Sequence, residues 1–532
     1  MKKNPLYLVL VLAALLVACS GEKEVQWAVS QNEAQAPAII PQPQHLELGE
    51  VVYEVPNDNQ ISYTGEASAS AKWLEELLNG AGISASVSSS ANAGWQLHLS
   101  DTLSQLGEEG YRLDISEGGV RVEAATQAGL FYGVQTLRQL LPAGVERGQL
   151  DDHGLLLPEL QIEDVPHYSW RGTMVDVARS FFDLEYLKKH VDRMATYKMN
   201  RLHLHLTDDQ GWRIEIKGWP KLTEVGGDDA VKDGRSGYLT QDEYKDLQSY
   251  AAARNIIIVP EIDMPGHIYA ALRSYPEELN CPDFTNIAPR RATPPEPYHG
   301  TTVGWSKFCL ENPAIYDFVT DVVREMAEIT TGPWIHIGGD EIQDPRYEEF
   351  VVKADSIVQD FGKTTIGWEE VTKAEVSNSL ISQVWHGRVE SLVDVEVIQS
   401  ICGHFYLDHA NVEGQEHTNN WCKSDGITLE EVYEFRSEHP RTLGVEAPVW
   451  SEFVITDERM DDRFWPRSLA VAEIGWTSPE SREYDDFFQR LQQQVDRLNA
   501  MGIHYYQTPG IDWKQGERSD GHNDVFAGFM PE

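Results

Sequence analysis

One pattern limits what this chain can fold into more than any other: strand-like and helix-like stretches take turns from Trp170 to about Ala500. Runs rich in β-branched and aromatic residues fall at 172–177, 201–206, 256–262, 335–338, 365–368, 380–385, 397–401 and 442–445. Helical apolar spacing follows most of them, at 184–197, 241–253, 317–329, 347–361, 463–474 and 485–500. Eight strand signals joined by crossovers predict an α/β fold, a (β/α)8 TIM barrel over residues 167–506. Ahead of it, 38–166 predicts a small α/β (α+β sandwich) domain packed on the barrel. There 71–78 and 128–141 have helical spacing and 95–99 is extended, while 111–115 and 120–124 pair through a turn at Glu117, Gly118 and Gly119. No catalytic constellation falls in that first domain.

The 85 acidic and 43 basic residues give a formal charge of −42, which argues against nucleic acid or an anionic membrane surface as partner. Residues 1–19 stand apart: Lys2 and Lys3 precede an apolar run at 6–18 that is too short to span a bilayer. Leu16, Val17, Ala18 and Cys19 resemble the lipobox of bacterial lipoproteins. That resemblance implies cleavage before Cys19 and lipidation there. It implies an exported protein, anchored in the outer membrane or cell envelope and touching membrane only through its lipid. Residues 20–37 read as a flexible tether and 507–532 as a C-terminal tail. Four further cysteines, Cys281, Cys309, Cys402 and Cys422, allow three disulfide pairings in an exported chain. Pairing nearest neighbours is the simplest, closing 282–308 and 403–421. No CxxC pair points to zinc.

A barrel of this kind carries its chemistry where the strands end. Trp334, Ile335, His336 and Ile337 read as a buried strand, Gly338 and Gly339 let the backbone turn, and Asp340 and Glu341 follow at once. The other strand ends are as polar. Asp176 and Arg179 follow the first, Asp208 and Asp209 the second, and Glu261, Asp263 and His267 the third. Trp368 and Glu369 follow the fifth, Trp385 and His386 the sixth, Tyr406 and Asp408 the seventh, and Glu446, Trp450 and Glu452 the eighth. Carboxylates, an arginine and aromatic rings around one pit suit a sugar. Rings stack on the C–H faces of a pyranose while charged groups hold its hydroxyls.

These motifs resemble the β-N-acetylhexosaminidases of glycoside hydrolase family 20. The likeness covers about residues 38–505 and is carried by His-x-Gly-Gly-Asp-Glu at 336–341 and by the runs 171–179, 203–212, 261–267 and 444–452. It implies an exo-acting, retaining hydrolase of oligosaccharides ending in β-linked N-acetylglucosamine or N-acetylgalactosamine, with no cofactor and no metal. Neighbours on an extended strand point to opposite sides, with α-carbons about 3.8 Å apart. Asp340 and Glu341 on such a strand do not make the usual acid and nucleophile pair, whose carboxyls stand about 5–5.5 Å apart.

Family 20 is an established substrate-assisted exception. The resemblance therefore makes Glu341 the general acid, then base, and Asp340 the residue that holds the 2-acetamido group as it attacks to form an oxazolinium. It makes Tyr406 the donor to the acetamido oxygen, and Trp368, Trp385 and Trp450 the walls. Arg179, Asp408 and Glu452 would bind sugar hydroxyls. Asp208 and His267 would relay protons behind Glu341, with Asp209 able to take the place of Asp208. On the residues alone, Arg171 reads as structural, His203 and His205 as facing the barrel interior, His336 as a support, and Glu261 and Asp263 as standing behind the site. Two other readings stay open: a metal-dependent amidohydrolase barrel using His203, His205, His267 and His336, and a surface glycan-binding lipoprotein without turnover. The sequence does not determine an oligomeric state.

Overall fold

The computed structural model describes residues 37–513 except 89–92, 149, 151–154, 289 and 388–393. The expected leader with Cys19, the tether before Pro37 and the tail from residue 514 lie outside the described residues.

The first part is a seven-stranded sheet in the order β1-β7-β5-β6-β4-β2-β3. Its strands are β1 (His45–Glu54), β2 (Asp58–Tyr63), β3 (Ser84–Ser88), β4 (Trp95–Leu99), β5 (Tyr111–Ser116), β6 (Gly119–Ala124) and β7 (Leu156–Asp164). Tyr111, Leu113 and Ile115 alternate inward on β5, where the helices Ser68–Gly80 and Gln127–Leu140 cover the sheet. In the β5–β6 hairpin Ser116 pairs with Gly119, so the turn itself is Glu117 and Gly118. A side chain at Gly119, where φ is +119°, would strike the Gly94 carbonyl at 1.9 Å. Strands β1, β2, β3 and β7 are additions to what spacing suggests. The edge strand β1 is mostly exposed and β3 reads Ser-Ala-Ser-Val-Ser, so neither carries a clear apolar alternation.

The second part is the closed, parallel eight-stranded barrel. Its staves are β8 (Trp170–Asp176), β9 (Arg201–His205), β10 (Ile257–Glu261), β11 (Trp334–His336), β12 (Thr364–Trp368), β13 (Ile381–Val384), β14 (Glu396–Gln399) and β15 (Thr442–Val449). The eight expected runs all became staves. Closure comes from β15 on β8, in register from Gly444↔Trp170 to Val449↔Val175. Long helices such as Leu184–Thr196, Ala314–Ile329 and Tyr484–Ala500 form the outer ring. The helix expected at 463–474 is two, Asp457–Phe464 and Arg467–Trp476, because Pro466 cannot donate to the turn before it. Residues 507–513, expected to be part of a tail, pack back on the last helix. Trp513 lies 4.5 Å from the Tyr505 ring, and Asp512 donates to Gln492.

The first domain plugs the end of the barrel where strands begin. Asp164 accepts four donors: Gln44 N–H (3.0 Å), Trp476 Nε1 (2.9 Å), Tyr111 Oη (2.6 Å) and Lys198 Nζ (3.0 Å). Beside it the fully buried Arg171 forks onto Glu109 at 2.9 and 3.0 Å. Arg171 is thus part of a domain seam.

Candidate active site

Trp170, Val259, Ile366, Ile381 and Ile398 of the staves form one apolar layer, and the residues nearer the strand ends form a polar one. On β9, Leu202 and Leu204 face the outer core while His203 and His205 face inward, the period of two expected of a strand. Glu446 of β15 accepts from His203 Nδ1 (2.8 Å), Gln383 (2.8 Å) and Trp170 Nε1 (2.9 Å). Glu261, at the end of β10, lies 2.5 Å from His205 Nδ1 and accepts from Trp368 Nε1 at 2.9 Å. His205 Nε2 is bonded to Asp208 at 2.9 Å. Both nitrogens of His205 are therefore held by carboxylates. The two histidines of the His-x-His pair meet different neighbours: His203 lies with Glu261 and His336, and His205 with Glu261 and Asp263.

Above this floor the chain turns sharply after β11. Gly338 and Gly339 have φ of +66° and +98°, and a side chain at Gly338 would sit 1.8 Å from Asp263 Oδ1. Only glycine fits there. The turn is held by Gly338 N–H to His336 Nδ1 (3.0 Å) and Gly339 N–H to Asp263 Oδ1 (3.2 Å), which gives His336 and Asp263 their supporting place. The expectation that Asp340 and Glu341 sit on an extended strand is corrected here. The strand ends at His336, and Glu341 has a left-handed φ of +59°. Both carboxylates consequently face one imidazole: His267 Nε2 is 3.7 Å from Asp340 Oδ2 and 3.5 Å from Glu341 Oε2. His267 is itself left-handed, φ +52°, and backbone strain of this kind gathers at working sites.

Behind His267, Nδ1 lies 3.6 Å from Asp208 Oδ2, and the same oxygen holds Arg179 Nη2 at 2.7 Å. Asp209 turns the other way, accepting Tyr269 N–H at 3.1 Å and the Ser306 hydroxyl. Of the two neighbours, Asp208 is the one that faces His267. Arg179 also meets Asp176 at 3.3 Å and lies 4.8 Å above the Trp450 ring. Trp368, Trp385, Tyr406 and Trp450 form one aromatic cluster. Trp385 and Tyr406 are parallel, 6.3 Å apart, and Trp450 is 5.8 Å from Trp368 and 6.0 Å from Tyr406. Asp408 and Glu452 are buried at the same mouth. Neither Asp408 oxygen nor Glu452 Oε2 has a hydrogen-bond partner among the described residues.

The comparisons with known proteins agree with this geometry. A family model described as "Glycosyl hydrolase family 20, catalytic domain" matches residues 168–352 and 345–479, and "Glycosyl hydrolase family 20, domain 2" matches 36–165. The chain belongs to glycosyl hydrolase family 20. A beta-hexosaminidase of Porphyromonas gingivalis is 33% identical over 539 residues, 92% of this chain and 67% of that protein. A beta-N-acetylhexosaminidase of Cellulomonas fimi is 34% identical over 438 residues, 79% of this chain and 84% of that one. The solved structure of a mutant Streptomyces plicatus beta-hexosaminidase, in complex with its product GlcNAc, superposes with a TM-score of 0.83 at 36% identity. It covers 90% of this chain and 98% of that one. The activity is that of a β-N-acetylhexosaminidase.

In this hexosaminidase the charges at the mouth are set by crowding. Burial raises Asp340 to about 7, with Glu341, Glu370 and Glu261 adding repulsion and His267 opposing. Burial also raises Glu452 to about 7, against the pull of Arg179. Asp263 is raised well above the usual range by burial and by Asp340. His267, which burial alone would lower, is raised by Asp208 and Asp340, and so stays an imidazolium. Asp208, which burial alone would raise, is held low by Arg179 and His267. Asp263, His267 and Asp340 have donor atoms within 4.8 Å of one another, as do Asp208, Asp209 and His267. So do Glu261 with His203 and His336, and Glu261 with His205 and Asp263; among the described residues these are groups that could share a cation.

Two disulfides hold loops against the site. Cys281–Cys309 closes the loop bearing Gly304, where a side chain would come 3.5 Å from Glu341 Oε2. Cys402–Cys422 brings in Trp421, a residue that strand spacing does not single out. It is half-exposed, 5.6 Å from Trp385 and 6.0 Å from Tyr406. Its position beside Cys422 is the one sequence signal that could have found it. Glu370, which accepts from Trp385 Nε1 at 3.1 Å, was likewise unmarked.

Proposed function

We propose that this hexosaminidase removes terminal, non-reducing β-linked N-acetylglucosamine or N-acetylgalactosamine, as from chitooligosaccharides, with net retention through an oxazolinium formed by the substrate itself. One observation carries the reading: Asp340 and Glu341 reach the same nitrogen of His267 from one turn. An acid and a carboxylate nucleophile must instead stand on opposite faces of the sugar. In place of a carboxylate nucleophile, the acetamido oxygen attacks the anomeric carbon as Glu341 protonates the departing oxygen. Asp340 faces the acetamido nitrogen as its positive charge develops, and that charge draws the carboxyl toward its anionic form. Tyr406, whose ring is parallel to Trp385, donates its hydroxyl to the acetamido oxygen. Arg179, Asp408 and Glu452 take the hydroxyls, which closes the pocket around one sugar and makes the action exo. The GlcNAc held by the related Streptomyces enzyme supports that sugar as the unit bound here.

A panel of aryl glycosides tests the mechanism. Hydrolysis of the N-acetylglucosaminide is expected to exceed that of the corresponding glucoside by at least about 10³-fold, and equal cleavage would reject it. Glu341→Gln is expected to lose about 10²–10⁴-fold on substrates that need acid help, with binding retained. We also propose export and lipid anchoring at Cys19, supported by the lipobox-like run at 16–19. Incorporation of labelled palmitate that Cys19→Ala does not abolish would refute it.

A further inference from the structure

The loop that carries Asp408 is held from outside the cleft. Arg467 opens the helix Arg467–Trp476 and is fully buried. Its hydrogen bonds all go to main-chain carbonyls. Nη2 donates to Leu407 (2.6 Å), His409 (3.1 Å) and Arg463 (3.1 Å), and Nη1 to Ile427 (2.9 Å) and Ala410 (3.5 Å). Burial pushes the guanidinium down to about 9, with Arg463 adding and Asp408 opposing. A buried cation is costly unless its donors are matched. Here the matching is done by the backbone of 407–410, on both sides of Asp408.

Asp408 itself gives the loop no such anchor. It is buried, and neither carboxylate oxygen has a hydrogen-bond partner among the described residues. The neighbouring His409 accepts Cys422 N–H on Nε2 at 3.2 Å. Its proton therefore sits on Nδ1, 3.5 Å from Asp408 Oδ2 and too far to fix it. The main chain is pinned at its ends as well, by Leu407 N–H to Pro448 O (2.8 Å) and Ile427 N–H to Ala410 O (2.7 Å). The aim of the carboxylate is thus a property of the backbone beneath it, and the side chain that spans that backbone is Arg467.

We propose that Arg467 is a positioning residue for substrate binding, which sets the aim of Asp408 by caging the main chain on either side of it. The proposal rests on the reading that Asp408 binds sugar hydroxyls. Lysine keeps the charge but loses the rigid fork that reaches several carbonyls at once. In Arg467→Lys, KM for a nitrophenyl N-acetylglucosaminide is expected to rise about tenfold with kcat changed less than about threefold. In an Asp408→Asn background the same substitution is expected to change KM by less than about twofold, since the aim of a neutral amide matters less.

An equal effect in both backgrounds would overturn the proposal. So would a lowered melting temperature with KM unchanged. If Asp408→Asn alone leaves KM untouched, it is the reading of Asp408 that fails, whatever Arg467→Lys does. Should the lysine variant not fold, Arg467→Gln takes its place in the cycle. Failure of both to fold would overturn a role confined to this loop.

Discussion

Two buried aspartates mark the two ends of the barrel. At the end where strands begin, Asp164 accepts four hydrogen bonds and pairs with Lys198. At the mouth, Asp408 is about as buried and makes none among the described residues. Natural structures rarely leave buried polar atoms unmatched, because each costs about 1–3 kcal/mol. The contrast therefore separates two jobs that burial alone does not. A saturated carboxylate is a joint: its partners come from this chain, and its contribution is to the fold. An unsaturated one at a strand end has room for a partner from outside the chain, and on the proposed function that partner is the substrate. At the mouth Asp340 Oδ1, His267 and Glu452 Oε2 share this state with Asp408, and so do groups elsewhere in the chain, such as Asn59 Oδ1 and His190 Nδ1, that do not stand at strand ends around the pit.

The sharpest way to break the contrast is to exchange the expected consequences. Asp164→Ala leaves Lys198 buried and unpaired, and is expected to cost about 3–5 kcal/mol of stability. The kcat/KM of the surviving folded protein should stay within about threefold. A denaturant titration with activity assays on the folded fraction measures both. Asp408→Ala is expected to do the reverse, losing about 10–100-fold in kcat/KM with a melting temperature no lower than that of the parent. An Asp408 variant that unfolds with little loss of turnover would make it a joint, and the distinction would fall.

Much of this was legible in the residues. The barrel could be read because staves buried on both sides appear as apolar runs separated by helical spacing, as at 256–262. The mouth could be read because strand ends expose their polar residues in chain order. What could not be read depends on local torsion or on distant closure. Which of Asp208 and Asp209 faces His267 is decided by the turn at 207–211, since the residues themselves are identical in chemistry. The convergence of Asp340 and Glu341 depends on a positive φ at a glutamate, a conformation that spacing rules assign to glycine. Trp421 and Arg467 act from segments with no strand signal. One is brought in by a disulfide, the other by helix packing.

The rim sharpens the comparison with a smaller effect. Trp421 is half-exposed and edges onto Trp385 and Tyr406 at the same opening. On the proposed function, a ring at that position stands where the part of a longer substrate beyond the first sugar would protrude. Trp421→Ala is expected to raise KM for a chitooligosaccharide about tenfold while changing KM for a small aryl glycoside less than about twofold. A uniform change on both would place Trp421 in the pocket wall instead.

The smallest effect is the most direct test of this reading of the mouth, because it looks for a cost and not a loss. A carboxyl that titrates near 7 in the folded chain, as Asp340 does, titrates near about 3.9 when unfolded. Between those values the folded state binds more protons than the unfolded one. Stability attributable to this group therefore falls as pH rises from about 4 to about 7, and the full penalty is present above that. Asn resembles the protonated acid and carries no such penalty. Asp340→Asn is then expected to be inactive yet more stable than the parent at pH 8, by about 1–2 kcal/mol. The gain should shrink toward zero at pH 4.5. Glu452→Gln, also raised to about 7 by burial, should behave alike. Scanning calorimetry at the two pH values reads the difference. An Asp340→Asn protein no more stable than the parent at pH 8 would mean that the mouth stores no electrostatic strain, and that its unmatched groups are not held ready at the expense of the fold.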